Sequence, residues 1–254
     1  MQEHSLEALK AIARDASRSY DQVARGYNDP SHETVRNIEA VTLGFLERTL
    51  FRQVKRGQYV LDLGGGRAYA SRKMAKLGIE VLLGDISFEM LRCTKQESVE
   101  ISKYCQLSAF ELPFQDSVFD LVMTMLCGAY LTEESVREIF RVLKPSGTYL
   151  VTETPTEWAR AIQPQRSMPL DKIWFKDHIG NVVLLPFQFI YTINQLTELI
   201  EGIGFKAVIK ETLRPENTLP LEEISGVNRG VAKALGVLPQ EIPLLSAVIA
   251  IKPL

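Results

Sequence analysis

The alternation of short β-rich runs with helical stretches between Gln58 and Thr154 constrains the fold more than any other feature. The β-rich runs read YVLDLG, EVLLGD, KYCQLSA, FDLVMTM and TYLVTET, and the helical stretches read AYASRKMAKLG, SFEMLRCTKQESV and ESVREIFRVLK. Strands that alternate with helices form crossover units around a parallel sheet. Because VLDL, VLLG and FDLVM are apolar on both sides, helices are expected to cover both faces of that sheet. The pattern predicts a doubly wound α/β fold.

Helix ends and turns fall where this pattern needs them. Gly78 follows a helical stretch at the position where a helix end favours a left-handed residue. Residues 144–147, with the sequence KPSG, are predicted to stop the next helix and to turn the chain before the following strand.

The first 57 residues are predicted to form two helices that precede the core and act as a lid. The first helix, with apolar residues at helical spacing, is expected to be short and to break between Gly26 and Pro30. Ser31 then stands as the hydroxyl N-cap of a longer helix, ETVRNIEAVTLGFLERTLF, which has one apolar face.

Beyond Thr154 the alternation is lost in two places. Residues 155–190 are predicted to form an irregular cap insert after strand five, and residues 214–242 a second irregular stretch. Between them TINQLTELIEGIGF is predicted to be a helix and KAVIKETL a strand, and SAVIAIK is the last strand. We therefore predict one domain with a mostly parallel, seven-stranded sheet, divided into a helical lid (1–57), a core (58–154), the cap insert (155–190) and a C-terminal part (191–254).

Composition and charge limit the partners of this 254-residue chain. With 46% hydrophobic and 24% charged residues, it can build one substantial core. The net charge of −2 gives no basic field for a phosphate backbone or an anionic membrane, so nucleic acid is a disfavoured substrate. No apolar run approaches the ~20 residues that span a bilayer, and the N-terminus does not read as a secretory signal. A cytoplasmic protein without a membrane partner is expected.

The cysteines Cys93, Cys105 and Cys127 are odd in number and have no CxxC pairing. This pattern favours reduced, mostly buried thiols and argues against a disulfide framework and a metal site. A thiol trio that holds a soft metalloid is the rarer alternative.

A glycine-rich turn follows the first buried strand. Gly64–Gly66 lie where a strand feeds a helix, at the edge of the sheet where doubly wound folds bind ligands. Asp62 completes the pattern D-x-G-x-G, and the second strand ends in Asp85, which is placed to accept both ribose hydroxyls of an adenosine ligand. A dinucleotide fingerprint would need a third glycine where Tyr69 stands, so a nicotinamide cofactor is disfavoured.

These segments resemble the class I S-adenosylmethionine-dependent methyltransferases, which have a Rossmann-like fold. VLDLGGGRA is similar to their first motif, and GDISFEML to their second-strand acid and the helix after it. SAFELPFQDSVFDLVMT resembles their adenine loop and fourth strand, and EIFRVLKPSGTYLVTE the next helix, turn and strand. The resemblance covers residues 58–153 and implies S-adenosylmethionine as the cofactor and S-adenosylhomocysteine as its product.

The resemblance also implies which residues surround this cofactor. The methionine moiety is expected to lie near Asp62, Gly64, Gly65 and Gly66, and the ribose near Asp85. The adenine is expected to lie near Ile86, Met90, Ser108, Ala109 and Phe110. The floor of the crevice is expected to include Met125. The stretch SYDQVARGY resembles a tyrosine-bearing helix that covers the cofactor in small-molecule members. Tyr20 and Tyr27 are therefore lid candidates, with ordinary helix surface and hinge as the alternative.

Three departures from the family pattern bear on this expectation. Ala68 stands where a third glycine is usual and narrows the room beside the cofactor. Ser108 replaces the usual aspartate of the adenine loop, so the adenine amino group would meet a hydroxyl. Ala129 and Tyr130 replace a histidine pair that often follows strand four, which removes one familiar base.

Methyl transfer from a sulfonium needs alignment and desolvation more than it needs a catalytic dyad, because the donor is already activated. If the acceptor must lose a proton, the candidate bases are Tyr130, Glu153 and His178 beside Asp177. Glu153 is the preferred polar contact because it ends strand five, where parallel sheets place ligands. For Tyr130 the alternative is packing, and for His178 it is a solvated loop residue.

We predict a methyltransferase that acts on a small molecule. Aromatic residues of the cap region either line its substrate pocket or only fold the cap: Trp158, Trp174, Phe175, Phe187, Phe189 and Tyr191. The alternatives are a catalytically silent partner subunit that binds the cofactor, and an RNA methyltransferase, which the absence of a basic face disfavours. The acceptor atom and the oligomeric state are left open, with a homodimer among the alternatives.

Overall fold

The structure, a computed structural model, describes residues 5–27, 29, 32–127, 130–166, 172–186 and 191–254. Its strands are β1 (Tyr59–Leu63), β2 (Glu80–Asp85), β3 (Lys103–Gln106), β4 (Phe119–Met125), β5 (Leu143–Glu153), β6 (Lys172–Lys176), β7 (Val182–Pro186), β8 (Lys206–Leu213) and β9 (Leu245–Ile251). Seven of them form one sheet in the order β3-β2-β1-β4-β5-β9-β8. β1 to β5 pair in parallel, and β9 runs antiparallel to both β5 and β8. The predicted mostly parallel, seven-stranded sheet is confirmed.

Helices cover both faces of this sheet. They are α1 (Leu6–Tyr27), α2 (Glu33–Thr49), α3 (Tyr69–Lys76), α4 (Phe88–Glu97), α5 (Glu133–Val142), α6 (Thr156–Arg166), α7 (Ile193–Ile203) and α8 (Gly226–Leu235). Buried side chains of α2, α3, α6 and α8 pack in one core cluster, and those of α5 and α7 in another. Successive residues of β1 serve the two clusters in turn, since Val60 belongs to the first and Leu61 to the second. None of the described helices is long and apolar enough to cross a bilayer.

The end of α3 confirms the helix stop predicted at Gly78. Gly78 has a φ of 78°, in the left-handed region. Its N–H donates to the carbonyl of Ala75 (2.9 Å), and the N–H of Ile79 donates to that of Met74 (3.2 Å). These two bonds form a Schellman motif, which satisfies carbonyl groups that the helix end would leave open.

The KPSG turn lies inside β5, not before it as we predicted. Leu143 already pairs with Phe119, and the register then shifts so that Thr148 pairs with Leu121. Ser146 has a φ of 60°, and its N–H donates to the carbonyl of Lys252 (2.9 Å). The turn is therefore a bulge that the neighbouring C-terminal segment holds in place.

The two stretches that looked irregular contain regular elements. The cap insert holds α6 and an antiparallel hairpin, in which Phe175 of β6 pairs with Val183 of β7. The stretch 214–242 contains α8, whose N-cap Ser225 accepts from the N–H of Asn228 (3.2 Å). The prediction of irregular structure was wrong here because both stretches bury their apolar residues against partners that lie far away in the sequence.

The first helix is longer than predicted. α1 spans 22 residues and continues through Gly26, where we expected it to break. A Cβ at Gly26 would lie 3.0 Å from the backbone nitrogen of His178, so the glycine permits close packing of the hairpin against α1. The predicted N-cap Ser31 lies outside the described residues, and His32 is the N-cap residue of α2.

Candidate active site

The glycine turn after β1 is packed tightly between neighbouring strands. The N–H groups of Gly64 and Gly65 both donate to the carbonyl of Gly84 in β2, at 2.7 and 3.1 Å. Gly64 has a φ of 69°, which favours glycine. A Cβ at Gly65 would lie 2.2 Å from Leu83 Cδ1 and 2.9 Å from Asp62 Cγ. The turn thus brings its backbone to the carboxyl edge of the sheet at a distance that only glycine permits.

Gly65→Ala is expected to destabilise the protein by about 2 kcal/mol, because the added methyl group overpacks a filled site. Thermal unfolding would then move down by roughly 4 to 8 °C. Gly202→Ala is the matched control, since Gly202 lies in α7 and a methyl group added there would have no other atom within 4 Å. That variant should melt at or above the wild-type temperature, because alanine is the better helix former. Equal melting of both variants would contradict the close approach at Gly65.

Asp62 is a fully buried acid below this turn. One carboxylate oxygen accepts from the hydroxyl of Ser71, and the other, Oδ1, has no hydrogen-bond partner among the described residues. Burial raises the pKa of Asp62 to about 7, and the nearby charge of Asp85 adds to this effect. A buried acceptor without a donor is costly, so this oxygen is suited to a ligand that brings one.

Asp85 ends β2 and is only 7% exposed. Its carboxylate accepts from the N–H of Gly66 (3.0 Å) and from the N–H of Ser87 (2.9 Å). Burial nevertheless raises the pKa of Asp85 to about 6. These bonds hold the carboxylate rigidly at the turn and leave lone pairs for further donors, as the predicted ribose contact requires.

The charge of this crevice is negative. Asp62 and Asp85 both lie buried at the turn, whereas Arg67, a cation that lines the cavity over the turn, is held by partners of its own. Its guanidinium donates to the carbonyl of Tyr27 (2.9 Å) and pairs with Glu39 (3.7 Å). Two buried carboxylates repel a phosphate and attract a cation. The site therefore fits a cationic adenosyl ligand better than a dinucleotide.

Most of the predicted cofactor residues meet around two small cavities. One, of about 70 Å³, lies over the glycine turn and is lined by Tyr20, Tyr27, Gly64, Gly65, Gly66, Asp85, Met90 and Met125 together with Cys127 and Tyr130. The other, of about 20 Å³, is apolar, shares Gly64, Cys127 and Tyr130 with the first, and is also lined by Ile86 and Ala109. We call these two cavities the crevice.

Two adenine-loop residues take different positions from those predicted. Phe110 packs against Leu9 and Ala13 of α1 and lies edge-on to Tyr130, with the ring centres 6.2 Å apart. The hydroxyl of Ser108 accepts from the N–H of Phe110 (3.3 Å), which holds the turn of the loop. Neither residue lines the crevice in this structure, so a contact between either side chain and the cofactor stays a prediction. Ala68, which stands where the family usually has a third glycine, has a φ of 56° and is fully buried.

α1 packs over the crevice, in the place where we predicted a lid. The carboxylate of Asp21 accepts from the hydroxyl of Ser87 (2.6 Å) and from the N–H of Glu89 (3.1 Å), at the N-terminus of α4. Ser17 donates to the carbonyl of Ile86 (3.1 Å). Ligand pockets usually enclose about 300 Å³ or more. An adenosyl ligand therefore requires α1 to move outward, and a few polar contacts at one end of α4 resist that movement.

A larger cavity, of about 390 Å³, adjoins the crevice, and we call it the chamber. Its walls are mostly apolar and aromatic and come from α1, α2, α6, α8 and the hairpin: Tyr20, Tyr27, His32, Glu33, Thr34, Val35, Ile38, Leu126, Thr154, Trp158, Ile173, Trp174, Phe175, Lys176, Leu185, Ser225, Gly226 and Val227. Tyr27 stacks on Phe175 with ring centres 4.9 Å apart, and it lines the crevice as well. The stacked rings of Tyr27 and Phe175 thus lie between the crevice and the chamber.

The structure corrects the predicted roles of Glu153 and His178. Glu153 is 2% exposed, and its carboxylate accepts from the N–H of Cys127 (2.9 Å). It holds the turn after β4 instead of contacting a substrate as we predicted. His178 is exposed on the turn of the hairpin, and the carboxylate of Asp177 closes that turn by accepting from the N–H groups of Ile179 (3.0 Å) and Asn181 (2.8 Å). Neither residue lines the crevice or the chamber.

Tyr130 lies in the crevice, as predicted, but not as a base. Burial raises its pKa well above the ordinary value of a tyrosine, so the phenol stays neutral. Its hydroxyl is buried and has no hydrogen-bond partner among the described residues. A neutral phenol donates a hydrogen bond, and this geometry favours contact with a ligand over proton abstraction.

The aromatic residues of the cap region divide between the two predicted roles. Trp158, Trp174 and Phe175 line the chamber, whereas the hydroxyl of Tyr191 donates to the carbonyl of Leu131 (2.9 Å) and serves packing. Ala129, Phe187 and Phe189 lie outside the described residues. The sequence reasoning missed His32, whose only local signal is its position just before α2, and Cys127, which lies below Gly64.

Known proteins resemble this chain in the core and in the fold. Residues 61–151 match the family model described as a methyltransferase domain. A stretch of 110 residues is 38% identical to the ubiquinone/menaquinone biosynthesis C-methyltransferase UbiE of Citrobacter koseri, and the match covers 39% of this chain and 44% of that protein. The chain thus spans less than half the length of the curated relatives it matches.

Solved structures share the architecture over most of the chain. An S-adenosylmethionine-dependent methyltransferase from Mesorhizobium loti gives a TM-score of 0.59 at 18% identity, with 84% of this chain and 98% of that chain covered. Phosphoethanolamine N-methyltransferase 2 of Haemonchus contortus, in complex with S-adenosyl-L-methionine, gives 0.57 at 21% identity, with 84% and 52% covered. At these identities the likeness shows the fold alone.

Proposed function

We propose that the chain is a class I S-adenosylmethionine-dependent methyltransferase, as the match of residues 61–151 to a methyltransferase domain supports, and that it methylates a small apolar molecule bound in the chamber. When bound, S-adenosylmethionine supplies an electrophilic methyl carbon, and its sulfur leaves as a neutral thioether. The observation that carries the proposal is the pair of buried acids at the glycine turn, Asp62 and Asp85, which suit a cationic adenosyl ligand.

Each part of the crevice has a task in holding this cofactor. The partnerless oxygen of Asp62, which lies below the glycine turn and does not line the crevice in this structure, would accept from the ammonium group of the methionine moiety, and Asp85 would accept from the ribose hydroxyls. Ile86 and Ala109 line the apolar end that suits the adenine ring. Tyr20 and Tyr27 on α1 would exclude water once the lid has closed over the ligand.

The chamber supports a small apolar acceptor. Its volume of about 390 Å³ lies in the usual range for small-molecule sites, and aromatic rings form much of its wall. The curated relatives are C-methyltransferases by name, which makes carbon the first acceptor atom to test. Because these matches cover only 39% and 38% of the chain, they support the donor more strongly than the acceptor.

Isothermal titration is the first test of the donor. S-adenosylmethionine and S-adenosylhomocysteine should bind, whereas NADH should give no heat because its pyrophosphate would face two buried carboxylates. Binding of NADH without S-adenosylmethionine would reject the proposal in favour of a dehydrogenase.

Transfer itself can be measured with S-adenosylmethionine that carries a tritiated methyl group and with a panel of naphthols and quinols. Val227→Trp is expected to fill the chamber and to lower the rate of transfer, because Val227 lines the chamber but not the crevice. The affinity for S-adenosylmethionine should not change. Binding of the cofactor without transfer to any acceptor would instead favour the silent partner subunit.

A further inference from the structure

His32 is held at the chamber wall by an aromatic contact. It occupies the position just before α2, and its imidazole lies 4.3 Å from the ring of Phe175, measured between the ring centres. Phe175 in turn stacks on Tyr27, which borders the crevice. The imidazole thus faces the chamber from the wall that the two cavities share.

The surroundings of His32 fix which of its nitrogens can accept a proton. The backbone carbonyl of Gly26 favours an N–H on the imidazole nitrogen that faces it, and the other nitrogen carries a lone pair whenever the ring is neutral. Burial lowers the pKa of His32 below its ordinary value, and Arg67 also lowers it, whereas Asp29 and the bond to Gly26 raise it. The positive end of α2 further disfavours the charged ring.

Four of the other polar side chains of the chamber either form a hydrogen bond with each other or are exposed. The hydroxyls of Thr34 and Ser225 bond each other at 3.0 Å, and Ser225 also accepts from the N–H of Asn228 (3.2 Å). Glu33 and Lys176, the charged side chains that face the chamber, are both exposed. The hydroxyls of Tyr20, Tyr27 and Thr154 also line the chamber, but a neutral hydroxyl is a much weaker base than an imidazole, so a donor group that gives up its proton would give it to His32.

We propose that His32 accepts a hydrogen bond, and then the proton, from a hydroxyl group of the methyl acceptor. This inference rests on the proposed function and names a residue for it. The proton moves from the hydroxyl oxygen to the free imidazole nitrogen, which becomes an imidazolium. The oxygen keeps the electron pair, which raises the nucleophilicity of the acceptor. Water at the mouth of the chamber then takes the proton from the ring.

The test uses 1-naphthol and 1-methylnaphthalene as probes, which have similar shapes but differ in the hydroxyl group. Both tryptophans of the chain, Trp158 and Trp174, line the chamber, so intrinsic fluorescence reports its occupancy. Wild-type protein should bind 1-naphthol more tightly than 1-methylnaphthalene. His32→Leu should reduce this preference about tenfold, the value of one lost hydrogen bond. His178→Leu, a matched change on the exposed hairpin turn, should leave the preference intact.

The pH dependence separates proton acceptance from packing. In the wild type the preference for 1-naphthol should fall as the pH drops through the lowered pKa of His32, because the imidazolium has no lone pair to offer. In His32→Gln the amide oxygen still accepts, so the preference should persist without that pH dependence. Groups that could also titrate near the ring are Asp29, Glu33, Lys176 and Tyr27, and His32→Gln retains all of them.

Each remaining outcome overturns the inference. An unchanged preference in His32→Leu would show that the hydroxyl lies elsewhere, and no fluorescence response to either probe would show that the chamber does not hold aromatic rings. A titration with S-adenosylmethionine on the same proteins separates the two proposals. If the wild type binds this cofactor while the preference is independent of His32, only the role of His32 fails. If the cofactor does not bind, the proposed function fails.

Discussion

Asp85→Ala is expected to weaken the binding of S-adenosylmethionine about 100-fold, because it removes an acceptor for two ribose hydroxyls. A hydrogen bond to a charged group contributes about 1.5 kcal/mol or more, and two such bonds give about 3 kcal/mol. The carboxylate is held by the N–H groups of Gly66 and Ser87, so little reorganisation offsets this loss. Isothermal titration of the purified variant measures it directly. Asp15→Ala, an exposed acid on α1, is the control and should bind like the wild type.

The pH dependence of this affinity follows from the raised pKa values. A carboxyl group is a strong acceptor only without its proton, and Asp85 has a pKa of about 6 and Asp62 of about 7. The affinity should therefore be constant above about pH 8 and fall as the pH drops through 7 and then 6. In Asp85→Asn only the fall in affinity that is due to protonation of Asp62 should remain. An affinity that is independent of pH and of Asp85 would contradict the proposed ribose contact.

The core of the fold follows from local sequence signals. These signals are the apolar run of β1, the glycines after it and the acid that ends β2. Each of them determines the structure of the segment in which it stands. Crossover geometry then places Asp62, Gly65 and Asp85 at one edge of the sheet. The same signals predicted the stop at Gly78, because a left-handed residue after a helix is a local requirement.

The cap and the lid depend on contacts between distant residues, and this is where the predictions failed. Gly26 reads as a helix breaker, yet it is needed for close packing against His178. The pairing of Phe175 with Val183 is accompanied by contacts of Phe175 with Tyr27 of α1 and with His32, which precede the hairpin by more than a hundred residues. A sequence pattern reports neither contact.

The partners of polar residues at the site could not be predicted from the sequence either. Glu153 stands at the carboxyl end of a parallel strand, where ligands bind, but the N–H of Cys127 occupies one of its carboxylate oxygens. His32 has no motif around it, and its place at the chamber wall depends on Phe175. Position along a strand predicts where a side chain lies, whereas its partner is set by the tertiary fold.

The second large effect is expected at Asn37, a buried residue that joins three elements of the chamber wall. Its amide nitrogen donates to the carbonyl of Glu223 (2.8 Å), and its oxygen accepts from the N–H of Ser225 (2.8 Å) and the amide of Asn228 (3.1 Å). Asn228 in turn accepts from the indole N–H of Trp158 (3.0 Å). The network links α2 to α8 and α6, and the carbonyl of Glu223, the N–H of Ser225 and the amide nitrogen of Asn228 have Asn37 as their partner in it.

Asn37→Leu should therefore cost about 3 to 4 kcal/mol, because a side chain of similar size leaves three buried polar groups without a partner. The midpoint of thermal unfolding should fall by roughly 10 °C, whereas Asn194→Leu on the exposed face of α7 should stay within about 2 °C of the wild type. The emission of Trp158 should change and naphthol binding should weaken, because the network supports the chamber. Affinity for S-adenosylmethionine should fall less than naphthol binding does, since only Val35 and Ile38 of α2 border the crevice and its polar groups are held by β1 and β2. An Asn37→Leu protein that melts like the wild type, or that loses both ligands together, would contradict this division between the two cavities.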